Sequence, residues 1–119
     1  MLSPKVMDVV ASTSPTECLS MIVTVEAPDT SRLKMITDRR ERAIRIGSLY
    51  DSSKEPLLRD FVAYEKAGLR IVDLLSGTPS VIVSAPARVW KRLIAENPRL
   101  SSDPSVDVRT NEREFRALI

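Results

Sequence analysis

The sequence predicts an α+β fold: a four-stranded antiparallel sheet with helices on one face. Three observations carry that prediction. Runs rich in β-branched residues alternate with segments of helical periodicity in the order strand, helices, strand, strand, helix, strand. The two middle strands are separated by the turn residues Ser76-Gly77-Thr78-Pro79 and read as a hairpin. Pro86 and the pair Asn97-Pro98 bracket an amphipathic segment that carries the chain from the third strand to the fourth.

Each element has a local reason. Ser3 as a cap and Pro4 at the first helical position predict a short helix to Ala11, with Val6, Val9 and Val10 on one face. Residues 1–17 are thus a helical extension of a single domain spanning 1–119, and residues 111–119 are a C-terminal tail. LSMIVTVEA, from Leu19 to Ala27, lies between Pro15 and Pro28 and reads as the first strand. Asp29 or Thr30 can cap the helix that follows, with Leu33, Ile36, Ala43 and Ile44 at helical spacing and Gly47 as its stop. A second helix, from about Lys54 to Lys66, presents Leu57, Leu58, Phe61 and Val62, and Gly68 ends it; the two pieces can also be one broken helical layer.

The hairpin strands run Leu69–Gly77 and Pro79–Ala85. The helix Pro86–Glu96 buries Val89, Trp90, Leu93 and Ile94, with Asn97 in the left-handed conformation at its end. A last strand falls within Arg99–Thr110, most clearly at SVDVRT. The order is the split βαβ pattern of a ferredoxin-like βαββαβ sandwich.

At 119 residues, 43% apolar and 29% charged, the chain is the size and composition of one soluble globular domain. There is no histidine, which removes catalytic triads and most zinc sites. The lone Cys18 cannot form an internal disulfide and reads as a small apolar filler. No membrane-spanning run is present, and MLSPKVMDVVASTSP is too polar for a signal peptide; the expectation is a cytoplasmic protein, or a secreted one if an export signal has been removed.

Neither chemistry nor nucleic acid finds support. The aspartates are scattered, and three glycines cannot build a phosphate loop. Arg39, Arg40, Arg42 and Arg45 sit beside Asp38 and Glu41 and read as a solvated face with local ion pairs. The predicted strands carry no aromatic residue on which an RNA base could stack. The expectation is a binding protein rather than an enzyme, without metal or cofactor, and without nucleic-acid or membrane partners.

Two stretches, LSPKVMDVVASTSPTECLSMIVTVEAPD and GLRIVDLLSGTPSVIVSAPARVWKRLIAENPRL, together with the strand and polar tail after them, resemble the propeptide-inhibitor domain of subtilisin-like serine proteases. The resemblance excludes about Ser31 to Lys66, where the helical layer is longer than in compact members of that family. The step from proline to last strand has two candidates, at Asn97-Pro98 and at Asp103-Pro104.

The resemblance implies a protease partner, on a separate chain or in a downstream segment, that this domain inhibits or helps to fold. The bare sheet face would pack on the protease, and the tail Phe115, Arg116, Ala117, Leu118 and Ile119 would lie product-like in its cleft. Asp107 or Glu112 would cap protease helices. The apolar preferences of subtilisin-like clefts suit a cut after Leu118, with Phe115 in the deep pocket; a helical tail packed back on the core is equally open. The alternative function is a ferredoxin-like regulatory or oligomerisation module without a protease partner.

Overall fold

The computed structural model describes residues 2–26 and 31–111. Helix α1 (Pro4–Ser12) starts as its cap predicts, the Ser3 hydroxyl accepting from the Val6 N–H at 3.3 Å. Val6 and Val10 are buried and Val9 is half-buried, so the three valines share the face that their spacing sets. Strand β1 (Cys18–Val25) is followed by a 3-10 turn (Ser31–Met35) and helix α2 (Arg39–Val62). The hairpin β2 (Arg70–Asp73) and β3 (Ser80–Pro86), helix α3 (Ala87–Glu96), the single turn α4 (Pro98–Ser101) and strand β4 (Val106–Thr110) complete the order.

The sheet runs β2-β3-β1-β4 with every neighbouring pair antiparallel. Strand β3 lies between β1 and β2, and β1 lies between β3 and β4, so each βαβ unit is split by a strand of the other. This is the α+β sandwich that the element order predicts, and the interleaving is compatible with the ferredoxin-like type. Alternation sends Leu19, Met21 and Val23 of β1, Val81, Val83 and Ala85 of β3, and Val106 and Val108 of β4 into one core. Leu57 and Phe61 of α2 and Val89, Trp90 and Leu93 of α3 cover it. Burial of each large apolar side chain stabilises by about 1.5–3 kcal/mol. Trp90 meets Phe61 edge-on at 6.5 Å, and its indole N–H donates to the Leu19 carbonyl at 2.9 Å.

The helical layer departs from the expected pair of helices. Asp38, not Asp29 or Thr30, caps α2, accepting from the Arg40 and Glu41 N–H groups at 2.8 and 3.3 Å. The helix then runs unbroken through Gly47 and Pro56. Gly47 is a contact point rather than a stop: a Cβ there would come within 3.3 Å of the Gly77 Cα in the hairpin turn. Val62, expected inward, is 53% exposed, because α2 ends there in a turn and a 3-10 segment, Glu65–Ala67. Gly68 closes that segment at φ 113°.

The same helix grips the β2–β3 turn. Lys54 is 1% exposed and its ammonium donates to the carbonyls of Leu74, Leu75 and Ser80 at 2.5, 3.2 and 3.0 Å. Asp51 lies 3.6 Å from that ammonium and accepts from the Gly77 N–H at 2.8 Å. Gly47, Asp51 and Lys54 fall at i, i+4 and i+7, on one helical face. The grip explains why β2 ends at Asp73 rather than Gly77: the register shifts after Ile71, Leu75 takes φ 47°, and two carbonyls turn to Lys54.

Three other expectations change. Asn97 is extended, at φ −121° and ψ 95°, not left-handed; its amide donates to the Leu93 carbonyl at 3.0 Å and to the Tyr64 hydroxyl at 3.1 Å. Pro98 then opens α4, because proline suits a first helical position. The strand step therefore belongs to Asp103-Pro104, where the Asp103 carboxylate accepts from the Ser105 N–H and hydroxyl at 2.9 and 2.6 Å. Cys18 is exposed at the start of β1 and fills nothing.

The ends of α2 and α3 are tied together by Tyr64, whose hydroxyl donates to Glu96 at 2.6 Å, while Arg92 donates to the same carboxylate at 2.8 Å. The Tyr64 hydroxyl, then Arg92, holds the Glu96 carboxyl below its usual range; the Ser105 hydroxyl and N–H do the same for Asp103. A carboxyl with a depressed folded pKa contributes stability that is present above its unfolded value and is lost as pH falls through the folded one. Urea midpoints are therefore expected to decline on acidification below about pH 4. The decline should be shallower in Glu96→Gln, and an unchanged pH profile in that variant would show that the tie contributes nothing.

Candidate protein-docking face

The residues that alternate with the core set define the second face of the sheet. Strand register places Ile82, Ile22 and Arg109 in one row, Ser80, Thr24 and Asp107 in the next, and Arg70, Ser84 and Ser20 in a third. The helices pack on the other face. Ile22, Thr24, Ser80, Ile82 and Ser84 are each half-buried, and their short side chains keep the surface low. A depression of about 1010 Å³ spans it, bordered by Ile22, Ile82, Asp107 and Arg109 and, at the α1 end, by Ser3 and Lys5.

The polar groups of this face are mostly engaged with one another. Thr24 and Ser80 share a hydroxyl–hydroxyl bond of 2.8 Å across β1 and β3. The Arg109 Nε donates to the Asp107 carboxylate at 2.7 Å. Ser20 differs: it is 7% exposed and its hydroxyl has no hydrogen-bond partner among the described residues. An unsatisfied buried hydroxyl costs about 1–3 kcal/mol. Ser20→Ala is therefore expected to raise the urea-unfolding free energy by about 1 kcal/mol, and a loss of stability would mean that the hydroxyl has a partner.

The face leads directly to the C-terminal exit. Beyond Thr110, the Asn111 N–H donates to the Ser20 carbonyl at 3.0 Å, so the β1–β4 ladder continues one residue further. Among the sequence-predicted site residues, Asp107 lies on this face, its carboxylate already paired with Arg109. Glu112 and the tail residues Phe115, Arg116, Ala117, Leu118 and Ile119 lie outside the described residues.

Sequence reasoning passed over the residues that make the face, Ile22 and Ile82 with their serine and threonine neighbours. The signal was present as alternation: in SMIVT and SVIVS every second residue is core, which leaves the others to form the opposite surface. Lys54 gave no such signal, because one lysine in a charged helix looks solvated. Among the described residues, no helix is long and apolar enough to cross a membrane. Comparison of the chain with protein-family models, curated proteins and solved structures found no match.

Proposed function

We propose that this chain binds a subtilisin-like serine protease, inhibiting it or assisting its folding, and performs no bond-making itself. The observation that carries the reading is a low sheet face, free of helices among the described residues, that is continuous with the start of the C-terminal tail through the Asn111–Ser20 bond. A protease docked on that face would receive residues 112–119 as an added extended strand, held by main-chain hydrogen bonds with alternate side chains in pockets. The docked sheet raises the local concentration of the tail, so a cleaved tail would leave slowly. Leu118 takes the primary specificity position, with Phe115 three residues earlier in the deep apolar pocket, and Ile119 is trimmed.

Titrating purified subtilisin with the chain and reading residual peptidase activity tests the proposal. Inhibition that disappears when residues 115–119 are deleted, with mass spectrometry showing loss of a single isoleucine from the full chain, is the expected result. No inhibition at micromolar concentrations would overturn the reading. Inhibition by the chain lacking its tail would overturn the role of the tail, and an intact C-terminus in a tight complex would overturn the assignment of Leu118.

A further inference from the structure

The fold treats the two outer edges of its sheet differently. Leu2 lies parallel to Val108 and covers part of the outer edge of β4. Strand β2 is the other edge, and among the described residues no strand or bridge lies beyond it. An open edge presents unpaired N–H and C=O groups, which proteins blunt with lysines, bulges or a cover. The bulge in β2 has a local cause. Its register passes from Ile71–Val83 to Asp73–Ile82, which makes Val72 the extra residue, and the chain beyond gives the Leu74 and Leu75 carbonyls to Lys54. The edge otherwise stays apolar: Val72 is 44% exposed and Leu74 46%.

Helix α2 extends this apolar strip. Its Asp60 reaches Arg99, and its Ser53 and Pro56 border a depression with Val25 and Val106 at the ends of β1 and β4. At about 100° per residue, Val62 points about 160° away from Asp60, so its flank of the helix looks toward β2. Val62 is 53% exposed, and Leu58, about 40° round from it, is half-buried.

The charges of the edge match a copy of itself. Arg70 lies opposite Ser84 and Asp73 opposite Ile82, so both fall on the low face. Both are exposed, and among the described residues neither has an ion-pair partner. One carboxylate oxygen of Asp73 accepts from the Leu75 N–H at 2.9 Å, which leaves the other for a cation. When a second β2 runs antiparallel alongside, the arginine of each copy comes beside the aspartate of the other, and a two-fold axis makes the contact twice.

We infer that this chain pairs with a second copy of itself along β2, with reciprocal Arg70–Asp73 contacts framing Val72 and with Leu58 and Val62 closing over the seam. An unrelated extended segment could use the same backbone groups, but it would match both charges only if it carried the same order. The inference does not depend on protease binding, because the chain alone suffices to test it.

Sedimentation equilibrium of the full chain, from micromolar to millimolar concentration, reads the association. The wild type is expected to form a reversible dimer, a weak one for so short a strand pair. Arg70→Glu and Asp73→Arg each bring like charges together at two contacts and should each weaken dimerisation about tenfold or more. An equimolar mixture of the two variants restores both opposite-charge contacts and should dimerise about as well as the wild type. Circular dichroism verifies that each variant is folded. Arg70 is exposed and outside the hairpin turn, so Arg70→Glu decides the matter by itself if Asp73→Arg disturbs the turn. A chain that stays monomeric at every concentration would overturn the inference and leave the edge to an unrelated partner. Dimerisation unaffected by Arg70→Glu, or a mixture of folded variants no better than its components, would overturn it as well.

Discussion

Truncating Lys54 to alanine is expected to destabilise the fold by about 2–5 kcal/mol, the range for truncating a large buried side chain, with carbonyls that lose their donor contributing to it. The ammonium is sealed from water and satisfies carbonyls of Leu74, Leu75 and Ser80. Leu75 retains donors in the Thr78 N–H and hydroxyl, at 3.0 and 2.7 Å. The variant removes the Lys54 donor from Leu74 and Ser80 and leaves a cavity between α2 and the hairpin. Lys54→Met separates the two contributions, since it keeps most of the volume and removes the donors. If polar satisfaction dominates, methionine should recover less than half of the alanine loss in urea unfolding. Full recovery would mean that Lys54 acts as a filler and that the turn holds itself.

The second large effect falls on binding. If the chain binds a protease as proposed, Ile82→Asp is expected to weaken inhibition by about 100-fold or more, which corresponds to roughly 2.7 kcal/mol. Ile82 lies near the middle of the sheet face, beside Ile22 and opposite Asp73 in the register. A carboxylate there would be desolvated on docking with a second negative charge across the strand pair, and an unpaired interfacial charge costs several kcal/mol. In the free protein the position is half-buried and points away from the core, so stability should fall by no more than about 1 kcal/mol. Undiminished inhibition by the folded variant would exclude this face as the docking surface, whatever the tail does.

The clasp and the face meet at the hairpin, where Ser80 gives its carbonyl to Lys54 and its hydroxyl to Thr24, so the Lys54 variants are read by unfolding and the Ile82 variant by inhibition. A substitution in the clasp acts on the hairpin through the helical layer, and one in the Ile22–Ile82 row changes the other surface. Ser20→Ala, beside the C-terminal exit, tests whether that surface retains unsatisfied polarity when the chain is alone.

Much of the architecture was legible in the residues themselves. Ser3-Pro4 starts a helix, LSMIVTV alternates like a half-buried strand, Ser76–Pro79 turns a hairpin, and Val89, Trp90 and Leu93 recur at helical spacing. These signals are local: each depends on a side chain's own geometry or on neighbours within a turn, and the outward face follows from the same alternation. Longer-range relations were not legible. Gly47 reads as a stop until Gly77 approaches it, Pro98 reads as a barrier until it opens α4, and Cys18 reads as core until its place at the start of β1 exposes it. Lys54 looks solvated until three carbonyls from residues 20 to 26 positions away converge on it. The order and type of the elements were set by the sequence alone, through periodicity and capping. The continuity of α2 past Gly47 and its grip on the hairpin were decided by tertiary structure, because each depends on atoms that meet only when distant segments pack.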